Sequence, residues 1–336
     1  MKSLFRQNKL TGEWVVFAPS RRRRPMDFIP EVCPVELPEY DPDCPFCPGN
    51  EEKLSRMVCE IRDQAGETWT SRTIYNKYPA LTPDGDNSRK HSGIYLEGDG
   101  FGRHLVIIES PRHNLQMCGM ARQDLLVVIE SYHQCFQVLA DDPGVMMIML
   151  FKNYGRSAGA SLHHPHSQVV ASGVVPKFIR DREAEAQRYF DEMGRCVMCD
   201  ILEFELKDRQ RLLFENQGFT VFVPFAAEVP FELWVVPKRH AADFRDISPR
   251  EKMDMAEGLE WVMKVFQDKL HCPDYNFAVN SCTRYKSGEP QLHWFLRIVP
   301  RLTTRAGFEI GSGMCINPSL PEDDAWFLRG EGGREG

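Results

Sequence analysis

The sequence lacks any apolar run that approaches the roughly 20 residues of a membrane-spanning helix, so we expect no membrane partner. Its first residues, Met1 to Arg6, lack the apolar core of a secretory signal peptide, which indicates a cytoplasmic protein. Basic residues are not in excess, since 41 Lys and Arg stand against 48 Asp and Glu, a net charge of −7. This acidic balance argues against a general nucleic-acid-binding protein. The 336 residues suit one large domain or two of ordinary size.

The chain has 11 cysteines, an odd number, whereas a disulfide-linked secreted protein usually has an even number. Four of them form two C-x-x-C pairs, Cys44 with Cys47 and Cys196 with Cys199. The first pair runs into a Pro-Gly turn, which is typical of a thiolate knuckle that supplies half of a zinc site. A redox dithiol is the alternative, but it prefers the start of a helix, and Pro-Gly begins a helix poorly.

What the sequence does contain is a cluster of three histidines, His163, His164 and His166. Side chains alternate along a strand, so His164 and His166 point to the same side. Two neighbouring imidazoles share a metal, or one binds a metal while the other acts as a nucleophile. Small residues at 155–160 would let backbone N–H groups approach an anion. The alternative is an ordinary strand with two semi-buried histidines.

The two halves of the chain repeat one order of parts: a C-x-x-C pair, a strand ending in a histidine, a helix, a strand, and a strand carrying a second histidine. His113 and His164 are 51 positions apart, and His240 and His293 are 53 apart. The repeat predicts one metal site of two cysteines and two histidines in each half. The predicted ligands are Cys44, Cys47, His113 and His164 in the first half and Cys196, Cys199, His240 and His293 in the second.

The halves differ two positions after the second metal histidine, where the first has His166 and the second has Phe295. A structural metal site needs no further histidine. We therefore predict one active centre in the first half and a degenerate copy in the second. Four protein ligands leave no open position for water, so the zinc would be structural in both halves.

Apolar periodicity predicts helices over residues 122–140 and, with one charged face, 177–193. Ser248 and Glu251 form a capping box, with proline at the first helical position, for a helix that runs to about Leu270. Apolar runs predict strands at 104–110, 145–151 and 291–299, among others. Residues 81–100 are predicted as a polar loop.

Three motifs resemble those of the galactose-1-phosphate uridylyltransferase family, which belongs to the histidine-triad superfamily. They are Leu-Thr-Gly-Glu-Trp-Val at 10–15, Cys-Pro-Phe-Cys-Pro-Gly-Asn at 44–50 and Gly-Ala-Ser-Leu-His-His-Pro-His-Ser-Gln at 159–168. The second C-x-x-C pair, Pro-Phe-Ala-Ala at 224–227 and His-Trp-Phe-Leu at 293–296 resemble the branch that contains plant ADP-glucose phosphorylase.

The resemblance implies an α+β fold of two tandem histidine-triad-like domains, each an antiparallel sheet with packed helices, related by internal duplication. They would span residues 1–175, the catalytic domain, and 176–336, the degenerate one. The resemblance also implies two structural zinc ions and a homodimer.

The resemblance further implies a role for each site residue. His166 would attack the α-phosphorus of a nucleoside diphosphate sugar and hold the nucleotidyl group, while Gln168 donates to the phosphate oxygens. Residues implied to contact the nucleotide or its phosphates are Arg21, Arg22, Arg23, Arg24, Asn76, Asn153, Gly159, Ala160 and Ser161. The implied sugar-binding residues are Phe308 and Glu309.

Several reactions remain open at this stage. The first is uridylyl transfer between UDP-glucose and a hexose 1-phosphate, and the alternative is adenylyl transfer from ADP-glucose to phosphate. A hydrolase of the same superfamily usually has a third histidine where this chain has Gln168, which argues against hydrolysis. A zinc-knuckle nucleic-acid-binding protein is disfavoured by the acidic balance and by the lack of interleaved basic and aromatic residues near either knuckle.

Overall fold

The computed structural model describes residues 2–21 and 37–331. The strands of these ranges are β1 (Leu4–Gln7), β2 (Trp14–Phe17), β3 (Met57–Arg62), β4 (Trp69–Tyr75), β5 (Lys90–Ser92), β6 (Tyr95–Glu97), β7 (Gly102–Ile108), β8 (Met147–Tyr154), β9 (His166–Ser172), β10 (Leu212–Glu215), β11 (Phe219–Phe222), β12 (Leu233–Pro237), β13 (Tyr275–Asn280), β14 (Phe295–Pro300) and β15 (Ile316–Asn317). The helices are α1 (Arg122–Ala140), α2 (Lys177–Met193), α3 (Val197–Asp208), α4 (Pro249–Leu270), α5 (Gly307–Ser312) and α6 (Pro321–Arg329).

Ten strands form one antiparallel sheet in the order β10-β11-β12-β14-β13-β8-β9-β7-β4-β3. Its two five-stranded halves have the same order when each is followed from its outer edge inward, and β8 pairs with β13 at the seam. The α+β fold and the internal duplication are confirmed. The boundary expected at residue 175 falls between β9 and α2, and the division into two domains stays a prediction.

One face of the sheet is covered by α1 and α4, which also pack against each other. Apolar side chains at helical spacing, such as Leu125, Ile129 and Phe136 of α1, form the main core with the strands beneath them. Along β9, Val169 and Ala171 belong to this core, so the alternation of the strand turns His166 and Gln168 to the opposite face. The first half of the sheet therefore presents His166 and Gln168 on the face away from α1.

That opposite face differs between the halves, because in the second half it is covered by α2 and α3. Phe222, Trp234 and Phe295 of the sheet pack there against helical residues that include Ala186 and Leu202. The rings of Trp234 and Phe295 lie 4.8 Å apart. Aromatic side chains thus cover, in the second half, the surface that corresponds to the one carrying His166 in the first half.

The three helices expected from periodicity and capping are confirmed, and the bonds of the Ser248–Glu251 capping box are formed. The polar segment 81–100 is not only loop, since β5 and β6 form a hairpin around Gly93, which has φ +61°. The hairpin strands are exposed on both sides, so they lack the buried–exposed alternation that marks a strand. No helix of residues 2–21 and 37–331 has the length and apolar character needed to cross a membrane.

Candidate active site and metal-binding clusters

His166 begins β9 and is buried. Its Nδ1 lies 2.8 Å from the carbonyl oxygen of His164. A carbonyl only accepts, so Nδ1 carries the proton and donates, which leaves a lone pair on Nε2. Burial, and after it the charge of Lys152, lower the pKa of His166. The residue therefore presents a neutral imidazole with Nε2 available for attack.

The first C-x-x-C pair forms a tight knuckle. The amide N–H of Cys47 donates to the carbonyl of Cys44 at 3.3 Å, and Gly49 follows with φ +90°, a conformation that favours glycine. The side chain of Asn50 then donates to the carbonyl of Cys44 at 2.7 Å. These bonds turn both thiols inward, and both cysteines are buried.

The four residues expected as first-half ligands come together. Cys44 Sγ lies 3.6 Å from His164 Nδ1, and Cys47 Sγ lies 3.5 Å from His113 Nδ1. Sulfur bound at about 2.3 Å and nitrogen at about 2.0–2.1 Å around a tetrahedral ion lie about 3.5 Å apart, so the cluster fits a four-coordinate metal. His164 Nε2 donates to the carbonyl of Ser110 at 2.8 Å, which directs its Nδ1 to the cluster.

The second half repeats this arrangement with Cys196, Cys199, His240 and His293. Cys199 Sγ lies 3.3 Å from His240 Nδ1 and 3.6 Å from His293 Nδ1, and His293 Nε2 donates to the carbonyl of Pro237 at 3.0 Å. Here the cysteine pair lies at the start of α3, a helix that the sequence did not reveal. The structure thus contains two clusters that could hold a metal ion.

A buried ion pair lies directly behind His166. Lys152 of β8 donates to Glu109 at 2.5 Å and to the carbonyl oxygen of His166 at 3.0 Å. The other oxygen of Glu109 accepts from Tyr132 of α1 at 2.7 Å and from Ser167 at 2.5 Å. Every charge in this network has a partner, as burial requires. The network joins three strands and a helix to the backbone of the proposed nucleophile.

Sequence reasoning missed this network, although one signal was available. Lys152 interrupts the apolar strand β8, and Glu109 directly follows the apolar strand β7. Ionisable side chains at such positions are rarely buried without a partner. Their pairing was therefore a reasonable expectation once both strands were assigned to the same sheet.

Gln168 lies two residues beyond His166 and on the same face. Its Oε1 lies 2.9 Å from Nε2 of His104, a β7 residue that the sequence analysis did not single out. Asn76 directly follows β4, and its Nδ2 lies 3.2 Å from the same His104 nitrogen. His104 therefore brings the predicted residues Asn76 and Gln168 together.

The glycine-rich loop 155–161 connects β8 to the histidine segment. Asn153 accepts from the side chain of Asn276 of β13 at 2.8 Å, and a Cβ at Gly159 would lie 3.9 Å from its Nδ2. The N–H groups of Gly159 and Ala160 close turns within the loop. Ser161 is exposed at its end, so its hydroxyl is accessible to a ligand.

Phe308 and Glu309, the residues predicted to bind the sugar, form no hydrogen bond or ring contact with His166. Phe308 and Glu309 lie on α5, where Phe308 is exposed and the Glu309 carboxylate accepts from the backbone N–H of Ala306 at 3.1 Å. The backbone of Arg21 ends a short 3-10 helix. Arg22, Arg23 and Arg24 lie outside the described residues.

Comparison with protein-family models gives a match over most of the chain. The N-terminal domain of galactose-1-phosphate uridyl transferase matches residues 1–176, and the C-terminal domain of the same enzyme matches residues 182–300. The chain belongs to the galactose-1-phosphate uridylyltransferase family. The resemblance expected from the sequence is confirmed, and the protein is a nucleotidyltransferase.

Within this uridylyltransferase family the chain is similar to proteins with two different activities. It is 35% identical over 330 residues to ADP-glucose phosphorylase of Arabidopsis thaliana, with 96% of this chain and 92% of the relative covered. It is 28% identical over 334 residues to galactose-1-phosphate uridylyltransferase of Thermotoga maritima, covering 96% and 97%. A crystal structure of an Arabidopsis thaliana ADP-glucose phosphorylase with bound ADP-glucose superposes with a TM-score of 0.84 at 32% identity, covering 99% and 100%.

The two clusters predict separable metal losses. Cys44→Ser should remove one metal equivalent per chain and also abolish nucleotidyl transfer, because His164 supports His166 through its carbonyl. Cys199→Ser is the matched variant and should remove the other equivalent while leaving part of the transfer activity. Elemental analysis of the purified proteins and a transfer assay test both statements. Loss of both metals from Cys199→Ser would contradict two independent sites.

The ion pair behind His166 predicts a large loss of stability when one partner is removed. Lys152→Met leaves the Glu109 carboxylate buried without its cation and should lower the free energy of unfolding by about 3–5 kcal/mol. Adding Glu109→Gln should recover much of this loss. Lys177→Met is the control, because the pair of Lys177 and Asp181 is exposed. Urea-induced unfolding tests this, and equal losses for Lys152→Met and the control would contradict it.

The glycine-rich loop leaves no room for a side chain at Gly155. It has φ +84°, and a Cβ would lie 1.8 Å from Oδ1 of Asp274, whose other oxygen accepts from the backbone and hydroxyl of Ser157. Gly155→Ala should displace the loop and slow nucleotidyl transfer by ~10- to 100-fold. Gly288→Ala is matched, with φ +82° and open space around the new methyl group. Equal transfer rates in both variants would contradict a role for the loop.

Proposed function

We propose that the protein transfers a nucleotidyl group between phosphates through a covalent intermediate on His166. Nε2 attacks the α-phosphorus of a nucleoside diphosphate sugar, the bond from that phosphorus to the bridging oxygen breaks, and hexose 1-phosphate leaves. A phosphate oxygen of the acceptor then attacks the same phosphorus and the P–N bond breaks. The observation that supports this most directly is the bond from His166 Nδ1 to a carbonyl, because it leaves Nε2 unprotonated.

The surrounding groups suit the charge of this reaction. Gln168 would donate to the phosphate oxygens, as would Ser161 and the backbone around Gly159 and Ala160. Asn76 and Asn153 would hold the nucleotide. Arg21, Arg22, Arg23 and Arg24 would approach the phosphates as guanidinium donors. Phe308 and Glu309 would contact the sugar.

For the donor, we infer ADP-glucose with inorganic phosphate as acceptor. The support is similarity, since identity to the Arabidopsis ADP-glucose phosphorylase is 35% and to the Thermotoga uridylyltransferase 28%. UDP-glucose with a hexose 1-phosphate acceptor is the second candidate. Its support is the description of the family to which both halves of the chain match.

We propose zinc as the metal in both clusters. Cysteine sulfur and histidine nitrogen are the ligands that Zn²⁺ prefers in tetrahedral sites, and four protein ligands leave no coordination position for a substrate. The zinc ions would hold His164 and the knuckles in place and take no part in the chemical step. This assignment also accounts for the second half, where a complete cluster lies beside Phe295.

We also propose a homodimer that resides in the cytoplasm. Ile310 of α5 is exposed, and α5 follows a segment in which Arg305 pairs with Glu228 of the second half. Apolar side chains presented in this way are suited to contact with a second copy. None of the ten cysteines in the described residues forms a disulfide, which agrees with a reducing compartment.

The covalent mechanism predicts that His166→Asn forms no adduct. Wild-type protein mixed briefly with ADP-glucose should gain an AMP group on the peptide that contains His166, and His166→Asn should gain none while keeping its metal content. Intact-protein and peptide mass spectrometry make this measurement. His163→Asn is the matched control, because His163 is exposed and next to the ligand His164.

The outcomes separate the candidates. An adduct from UDP-glucose and none from ADP-glucose would move the protein to uridylyl transfer. Turnover of either donor without any adduct in the wild-type protein would overturn the covalent mechanism. Loss of metal from His166→Asn would contradict the separate roles of His164 and His166.

A further inference from the structure

His104 is a buried histidine on β7 that faces the active site without being part of it. It lies on the face that carries Gln168 on the neighbouring strand, and its Nε2 is 2.9 Å from Oε1 of Gln168. Histidine has two ring nitrogens, and the neutral ring carries one proton. The location of that proton decides what His104 does to Gln168.

The backbone settles this location. The amide N–H of Ala80 points at Nδ1 of His104 with a nitrogen–nitrogen distance of 3.1 Å. A backbone N–H only donates, so Nδ1 is the accepting nitrogen and has no proton. The proton of the ring is therefore on Nε2, and Nε2–H donates to Oε1 of Gln168.

This bond orients the amide of Gln168. With its oxygen held by His104, the NH₂ group points the other way, and none of the described residues accepts from it. The orientation matters because the amide oxygen carries a partial negative charge and the NH₂ hydrogens carry partial positive charges. The NH₂ end stabilises a phosphate oxygen, whereas the carbonyl end would repel it. We propose that His104 is a positioning residue that holds the Gln168 NH₂ toward the transferred phosphate, which rests on the proposed function.

The second half shows the same pair of positions with different chemistry. By strand register, Glu232 corresponds to His104 and Arg297 to Gln168. Arg297 donates to both oxygens of Glu232 at 2.8 and 2.9 Å and also pairs with Glu228 at 3.0 Å. Its guanidinium is thereby directed to carboxylates. The contact between these two strand positions is kept in both halves, with an amide in the first and a guanidinium paired with two carboxylates in the second.

His104 also connects Gln168 to the segment that follows β4. Asn76 Oδ1 accepts from the N–H of Tyr78 at 2.8 Å, which turns its NH₂ to within 3.2 Å of His104 Nε2. Because Nε2 already carries a proton, it does not accept from this amide. The NH₂ groups of Asn76 and Gln168 therefore both remain available beside one imidazole.

The test uses three substitutions of His104 in the metal-loaded full-length protein. Leucine removes both nitrogens, asparagine keeps only a group near the position of Nδ1, and glutamine reaches the position of Nε2 and donates from there. Single-turnover formation of the nucleotidyl-His166 adduct is followed by rapid quenching and mass spectrometry, at saturating ADP-glucose and separately at saturating UDP-glucose. His104→Leu and His104→Asn should slow it by ~10-fold, and His104→Gln should restore most of the rate.

A double-mutant cycle separates positioning from general damage. Gln168→Ala alone should slow adduct formation by ~100-fold, and adding His104→Leu should then slow it by less than about twofold, because His104 acts only through Gln168. His133→Leu is the matched control. It is a histidine of α1 that is 8% exposed, as His104 is, and bonds Lys252 and the carbonyl of Arg245. Its adduct rate should equal that of wild type, and the melting temperature of each variant reports folding.

Two results would overturn this proposal but not the proposed function. One is that His104→Leu forms the adduct at the wild-type rate. The other is a further tenfold loss of rate when His104→Leu is added to Gln168→Ala. Failure of wild-type protein to form the adduct with either donor would overturn the proposed function, and this proposal with it. Full rescue by His104→Gln together with the non-additive cycle would establish it.

Discussion

The hydrogen bond from His166 Nδ1 to the carbonyl oxygen of His164 is the interaction on which the site depends. It places the ring proton on Nδ1 and leaves Nε2 unprotonated, as the proposed role of His166 as nucleophile requires. The side chain of His164 belongs to the first metal cluster, so the carbonyl that receives this bond is held by the metal ligands. A residue of the first cluster thereby sets the tautomer of His166 through its backbone carbonyl.

The buried ion pair behind His166 also holds this residue in place, because Lys152 donates to its backbone carbonyl. Lys152 and Glu109 are both almost fully buried, and such a pair is stabilising only when all of its hydrogen bonds are made. Tyr132, Ser167 and the carbonyl of His166 supply those bonds. The opposite charges of Lys152 and Glu109 cancel, so the network holds the backbone of β9 without adding net charge behind His166.

The second half keeps the strand order and the cluster of the first half but differs on the surface that carries His166 in the first half. The strand order and the metal cluster are repeated, but Phe295 fills the position of His166. Arg297 forms ion pairs with Glu232 and Glu228. The buried Arg182 of α2 donates to Asn280, which corresponds to Asn153 by strand register. In the second half, aromatic packing and ion pairs therefore cover this surface and give its buried charges partners.

The sequence by itself determined the parts that depend on spacing along the chain. Two C-x-x-C pairs, two histidine spacings of 51 and 53 residues and the alternation of His164 and His166 were enough to predict both clusters, the duplication and the proposed nucleophile. Apolar periodicity likewise predicted α1, the charged face of residues 177–193 indicated α2, and the capping box predicted the start of α4. These are local or repeated patterns, which need no knowledge of how the chain closes on itself.

Only the tertiary structure decided which distant residues meet. Lys152 and Glu109 are 43 residues apart, and His104 and Gln168 are 64 apart; no periodic pattern links either pair. Their contacts come from the order in which β7, β8 and β9 lie in the sheet. The proton positions on His104 and His166 depend on single backbone groups, Ala80 N–H and the His164 carbonyl, and such bonds exist only once the chain has folded.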